Sequence, residues 1–316
     1  MALLGGHFAR LRDPSLYRFV VSWIERPNPV TNAILAAIAF TIRIRRAVRL
    51  TRLDLRTRGS KLMFRARHHD AAAAAERTAL VKSMLCPTRS RAQQIQRFVT
   101  SVHRTCMQPG SVEILFYVDD DDPQREDYAR TIEELQRQYP DFKRVELIVG
   151  PAMSVSKSWN VLAASSTGSL LMMANDDQLY VDYGWDYHLD RYAGESQDGI
   201  FAMFFEDGQY PPGSGDFPIV SRRWYETLGY FTPGIFEFWY NEAWIFDIAH
   251  RLRRIRRIPK VLVDHLHYSK YKSVLDETYL RHRSNFERSQ RDTELFKNTA
   301  EQRSAAAEKL RPLMVG

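Results

Sequence analysis

From residue 80 onward, short apolar runs alternate with longer amphipathic stretches. Residues 80–85, 112–118, 144–149 and 169–174 read as strands, each too short for a helix and bounded by turn residues. The stretches between them, 90–104, 124–138 and 156–164, carry apolar positions at helical spacing. Alternation of this kind predicts an α/β domain around a largely parallel sheet. Beyond Asp177 the period is mixed. Runs at 200–205 and 217–220 flank a Gly/Pro-rich stretch, 208–215, which reads as a long loop. A helix over 241–254, a strand over 260–263 and a polar, helix-prone tail over 273–310 follow, with no internal repeat.

The first 75 residues differ. Asp13-Pro14 reads as an N-cap with Pro at the first helical position, opening a helix to about residue 25 that Pro27 and Pro29 stop. A second helix is predicted over 32–56, with Ile34, Leu35, Ile38 and Ile42 on one face and Arg43, Arg45, Arg46, Arg49 and Arg52 crowding its second half. Ala71 to Ala75 reads as a linker. The expected division is a basic helical extension (1–75), a catalytic domain (76–272) and a helical tail (273–316).

Charge sharpens that division. The chain carries 45 Lys and Arg against 38 Asp and Glu, a net +7. Residues 1–75 hold 14 basic against 4 acidic side chains, so the rest is net acidic. The extension is expected to dock on the catalytic domain with a solvated basic face, or to touch a polyanion or an anionic membrane surface. Two cysteines, Cys86 and Cys106, are too few for a disulfide scaffold and read as reduced, buried thiols of a cytoplasmic protein. The start lacks the pattern of a signal peptide, and the longest apolar run, 33–42, is about half a bilayer span.

Ligands of open α/β sheets bind beyond the carboxyl ends of the strands, and these ends are polar here. Pro87-Thr88-Arg89 follows the first strand at a helix start suited to a phosphate or a base edge, though Pro-Thr is also ordinary turn chemistry. Asp119 to Asp122 follow the second, where an exposed acidic turn is the plain alternative. Asn175-Asp176-Asp177 sits at the mouth of an apolar strand, where carboxylates hold a hard divalent cation. Capping a helix is the alternative for Asp177. Glu237, Glu242 and Asp247 lie in or beside an aromatic segment entering a helix, so a partly desolvated carboxylate there suits a general base. Asn241 reads equally as that helix's cap. His265 and His267 point to opposite faces if their strand stays extended, so at most one binds metal.

With these residues in order, residues 80–279 resemble glycosyltransferase family 2 and related GT-A enzymes, including stand-alone forms encoded by bacteriophages. The resemblance rests on Pro87-Thr88-Arg89, the acids near Asp119, Lys157-Ser158-Trp159-Asn160, Asn175-Asp176-Asp177, Leu228-Gly229-Tyr230-Phe231, Glu242 and His265-Leu266-His267. It implies a GT-A fold, Rossmann-like with a mostly parallel sheet and flanking helices, behind the basic extension. It also implies a hexosyl- or pentosyltransferase using a nucleotide-sugar donor, such as a UDP-sugar, with Mn²⁺ or Mg²⁺. Pro87, Thr88, Arg89, Asp119 and Asp120 then lie near the nucleoside, and Lys157, Asn160, Asn175 and Asp176 face the donor. Asp177, with Asp176, holds the metal, joined by His267 ahead of His265. Glu242 is the base, with Glu237 and Asp247 left open. The usual first acid of Asp-x-Asp is Asn175 here, and the usual acidic pair near the acceptor is Asn241-Glu242.

The implied reaction is a single displacement with inversion. The acceptor is a modified DNA base, a protein or a glycan. A nucleotidyltransferase is the rival chemistry, although no Gly-rich phosphate loop follows the first strand. A non-catalytic nucleic-acid-binding protein acting through the basic helices is the other rival.

Overall fold

The computed structural model describes residues 29–68, 79–208, 215–267, 272–273 and 286–315. The expected helix over 14–25 and the linker at 71–75 lie outside these residues. One sheet of eight strands organises the chain, in the order β3-β2-β1-β4-β7-β6-β8-β5. Its strands are β1 (Lys82–Pro87), β2 (Val112–Asp119), β3 (Arg144–Gly150), β4 (Leu170–Met173), β5 (Gln178–Tyr180), β6 (Ala202–Glu206), β7 (Ile219–Ser221) and β8 (Ile255–His265).

The first four strands run parallel, and β7 lies antiparallel between β4 and β6. This is the mostly parallel, helix-flanked α/β arrangement that the alternation of short apolar runs and amphipathic stretches predicts. Helices α2 (Ala92–Thr105), α3 (Arg125–Gln138) and α4 (Val155–Ser165) make the crossovers between the parallel strands. The chain steps from β1 to one side for β2 and to the other for β4, so the sheet has its topological switch point between β1 and β4.

Continuous apolar runs are what a sheet covered on both faces requires, and the alternation shows within them. Met84, Cys86, Ile114, Phe116 and Met172 pack with Ile95, Phe98, Tyr128 and Leu135 of α2 and α3 on one face. Leu85, Leu115, Tyr117, Leu171 and Met173 pack with Trp159, Trp224 and Trp244 on the other. Cys86 and Cys106 are free and buried.

Four elements beyond β4 depart from the sequence reading. β5 and α5 (Trp185–Gly194) fall where no period was evident, and α6 (Arg222–Leu228), capped by Ser221, follows β7 directly. β8 is eleven residues long rather than four, with Lys260 at φ 65 in its middle. Tyr240, at φ 70, occupies the cap of α7 (Asn241–Leu252), so Asn241 is not the cap. Its side-chain amide donates instead to the Phe238 carbonyl at 3.1 Å. In the tail, α8 (Phe286–Asn298) and α9 (Ala300–Leu310) pack onto the domain, with Ala306, Ala307 and Leu310 in the second core.

The described part of the basic extension is the helix α1 (Pro29–Arg67), beginning at a proline expected to stop its predecessor. It docks through buried Leu53 and Phe64 and through two forked ion pairs. Arg49 donates to both oxygens of Asp264 at 3.2 and 2.6 Å, and Arg56 to both oxygens of Asp182 at 2.9 and 2.7 Å. Phe64 covers Gly184, where a Cβ would strike its ring and where φ is 80. Among the described residues no helix is long and apolar enough to cross a membrane.

Candidate active site

The carboxyl ends of β1 and β4 face the switch point, and the polar residues expected there converge. A bonded relay links the two strands. The Arg91 backbone N–H donates to the Tyr128 hydroxyl at 2.8 Å. The Thr88 hydroxyl donates to Oδ2 of Asp176 at 2.6 Å, which leaves Tyr128 as the donor in their 2.8 Å contact. Arg91 Nη1 holds the other oxygen of Asp176 at 2.9 Å and approaches Asp177 Oδ2 at 4.0 Å. Asp176 is buried, and burial pushes its carboxyl upward against the pull of Arg91, with Asp177 adding to the rise. Both oxygens of Asp176 are thus engaged in positioning the strand ends.

Asp177 reaches a different partner through sheet pairing. β5 runs antiparallel to β8 with Gln178 opposite His265, and Leu266 N–H donates to the Asp177 carbonyl at 2.8 Å. The His265 Nε2 therefore stands 3.4 Å from Asp177 Oδ2, while its Nδ1 stands 3.3 Å from Asp216 Oδ2. Phe217 closes the side of the imidazole at 5.0 Å between ring centres. Burial alone lowers the pKa of His265, but the two carboxylates outweigh it and raise it to about 10. The spot between them favours a positive charge.

Glu242, in the first turn of α7, belongs to the same electrostatic group. Burial pushes it up to about 7, Asp216 adds to the rise, and His265 draws it down. Asp216 is itself raised by burial and lowered by His265. Backbone geometry supports the site, because three of the five non-glycine residues with positive φ among the described residues, Ser90, Phe217 and Tyr240, sit beside Arg91, Asp216 and the segment before Glu242. Strained conformations of this kind persist only where the surroundings hold them.

The histidine pair corrects one expectation. The strand ends at His265, and His267 N–H turns back to donate to the His265 carbonyl at 2.8 Å. The two rings meet 5.2 Å apart rather than on opposite faces.

The remaining candidates divide. Arg89 pairs with Asp119 at 2.7 Å and with Asp121, which raises its pKa, chiefly through Asp121. Asp120 is exposed and its N–H donates to the Gly150 carbonyl at 2.7 Å, whereas buried Asp122 holds the N–H groups of Ser90 and Gln124. Pro87 ends β1, Asn175 is half-buried at the mouth of β4, and Lys157 is exposed in the first turn of α4. Asn160 is committed to a turn: it accepts from Phe231 and Thr232 N–H at 2.8 and 3.0 Å and donates to the Thr232 carbonyl at 2.8 Å. Asn160→Ala is therefore expected to cost about 1–3 kcal/mol in a denaturant melt.

Asp247 binds Arg251 at 2.9 Å and Arg303 at 2.6 Å, tying α7 to α9. Glu237 lies 4.0 Å from Arg291, and its N–H is held by Asp292. Neither is brought to the Asp177 group. Buried Asp292 accepts the N–H groups of residues 237, 238 and 239 at 3.0 Å each, so the tail fixes the aromatic segment before Glu242. Trp224 and Trp244 are core residues, and Trp239 is half-buried.

Arg91, Asp216 and Asp292 escaped the sequence reading. Arg91 and Asp216 carried a faint signal, a basic residue two beyond Arg89 and an acid at the rim of the Gly/Pro loop. Residues 209–214 of that loop lie outside the described residues.

No family model matches the chain, and no curated protein matches it. Among solved structures, a mannosyltransferase from Pyrobaculum calidifontis, PcManGT in complex with GDP-Man and Mn²⁺, is similar with a TM-score of 0.49 and 12% identity, over 69% of this chain and 70% of that one. TarS 1–349 of S. aureus in complex with UDP-GlcNAc is similar with a TM-score of 0.46 and 11% identity, over 64% of each chain. The UDP complex of TarS matches over 58% of this chain and 59% of its own, with a TM-score of 0.46 and 12% identity. The chain thus spans less than two thirds of the TarS structures.

Proposed function

We propose that the protein is a metal-dependent glycosyltransferase, moving a sugar from a nucleotide-sugar donor, such as a UDP-sugar, to an acceptor hydroxyl with inversion. The observation that carries this reading is the convergence of Asp177, His265, Asp216 and Glu242 at the carboxyl edge of the sheet.

The donor set fits a divalent cation. A carboxylate oxygen and an imidazole nitrogen stand side by side, in surroundings that stabilise positive charge. Among the described residues no group of three or more His, Cys, Asp or Glu side chains is arranged to hold a metal. In this reading Asp177 and His265 supply the protein's part of the shell, and phosphate oxygens and water the rest. Bound there, Mn²⁺ or Mg²⁺ would neutralise charge on the departing diphosphate.

The chain's own groups divide the remaining work. Arg89, anchored by Asp119 and Asp121, and Thr88 shape the nucleoside side of the crevice. Exposed Lys157 at the start of α4 is available to the diphosphate. Glu242 takes the proton of the acceptor hydroxyl as that oxygen attacks the anomeric carbon, and its raised pKa makes the carboxylate a competent acceptor near neutral pH.

The acceptor is read as a DNA base, a protein or a glycan. Docking takes up Arg49 and Arg56 from any polyanion track on α1.

Nucleotide release from a panel of nucleotide-sugars, with and without Mn²⁺, tests the reading. Nucleoside diphosphate is the expected product, dependent on metal and abolished by chelation. Asp177→Asn should weaken the metal response by at least about 10- to 100-fold, the loss that substitution of an outer-shell partner already causes. Release of pyrophosphate from a nucleoside triphosphate would instead identify a nucleotidyltransferase.

A further inference from the structure

α1 has two apolar faces. One is buried through Leu53 and Phe64. On the other, Phe40, Ile44, Val48, Leu55 and Leu62 are exposed, at 64%, 47%, 45%, 62% and 70%. At 3.6 residues per turn these five fall within a strip about 80° wide, centred opposite the docked residues and roughly 33 Å long, whereas Leu50 and Met63, also exposed, fall outside it. Docking accounts for the first face only.

The stripe is bordered by cations. Arg45 and Arg52 lie along one side, and Arg43 and Arg65 along the other, all exposed and without an ion-pair partner among the described residues. The single acid of the helix, Asp54, is bound to Arg58 and Arg104. Beside the stripe, a cleft of about 620 Å³ is lined by Arg45, Arg49, Arg52 and Arg56 together with Ile44, Val48, Leu53 and Leu262.

We propose that this face of α1 lies on an anionic lipid bilayer, with the stripe in the acyl boundary and the flanking arginines on lipid phosphates. An in-plane helix needs an apolar strip between rows of cations, whose long stems let the charged heads reach the phosphates. Acidic lipids add attraction for every uncommitted arginine. A nucleic acid accounts for the arginines but not for five exposed apolar side chains between them. A coiled coil with a second copy also fits poorly, because Thr51 and Arg58 interrupt the stripe at the positions that alternate with Val48, Leu55 and Leu62.

Flotation of the full chain with vesicles tests this. Binding is expected to phosphatidylcholine vesicles containing phosphatidylglycerol, weakening with salt, and not to phosphatidylcholine alone. The quadruple variant Ile44→Gln, Val48→Gln, Leu55→Gln, Leu62→Gln should bind about tenfold more weakly or worse, with an unchanged thermal melt, because its substitutions face away from the docked surface. Arg45→Gln with Arg52→Gln should reduce binding and flatten its salt dependence. The proposal is overturned if the wild type ignores acidic vesicles, or if the quadruple variant binds them as the wild type does. It is overturned equally if the wild type is a dimer that the variant dissociates while neither floats, or if duplex DNA is bound in place of vesicles.

Discussion

Glu242→Gln is expected to lower turnover by roughly two to four powers of ten, the range contributed by a positioned general base. Glutamine keeps the size and the neutral hydrogen bonding of the protonated acid but cannot accept the proton. The wild type should show kcat/KM rising with pH through an inflection near the value of about 7 to which burial and Asp216 push Glu242. A cation held beside His265 draws that inflection downward, because positive charge favours the carboxylate. The variant should lose the inflection. Stability should move the opposite way. A carboxyl raised above its ordinary value favours the native state fully below that value and loses this contribution as the pH climbs through the raised one. Glutamine stays neutral, so the variant should melt at a higher temperature than the wild type above pH 7 and alike at pH 4. A variant within tenfold of wild-type turnover, with the inflection retained, would move the base elsewhere.

That pairing of lost activity with gained stability also shows which parts of the molecule the sequence could reveal. The buried strands were legible because a sheet covered on both faces needs unbroken apolar runs, as in Leu85, Cys86, Leu115 and Phe116. Strand ends were legible too, since polar residues after such a run have only the crevice or solvent to face. β5 was not, because three residues carry no measurable period. β8 was read short because its first half is Ile-Arg-Arg-Ile-Pro, a basic edge rather than an apolar run.

Within the candidate site, Asp177 and Glu242 stood out from local context. Their common neighbourhood did not. The antiparallel pairing of β5 with β8 brings His265 to Asp177 across 88 positions of chain, and no spacing rule encodes that. Asp292 was hidden for the same reason, lying in a polar helix more than fifty residues beyond the segment it holds. The basic helix was half legible. Its charge was plain, but the division of its arginines between docking and open surface depends on Asp182 and Asp264, two acids with no apolar context to mark them.

Arg91 carries the largest stability effect. Its guanidinium is the cation beside buried Asp176 at 2.9 Å, so Arg91→Met leaves that carboxylate in the interior with its compensating charge removed, whereas Asp177, 4.0 Å from Arg91, keeps His265 beside it. Breaking a buried pair from one side costs about 3–5 kcal/mol, whereas removing both charges is often close to neutral. Arg91→Met should therefore lose about 3–5 kcal/mol in a denaturant melt, and Arg91→Met with Asp176→Asn should recover most of it. Recovery of stability need not restore transfer. Thr88, Tyr128 and Asp176 are one bonded chain across the switch point, and asparagine in place of Asp176 alters the acceptor that orients Thr88. A stable double variant with weakened donor binding would assign Asp176 to holding the crevice in shape. If Arg91→Met alone cost less than about 1 kcal/mol, water or another cation would have to reach Asp176, and its burial would not be what organises these strand ends.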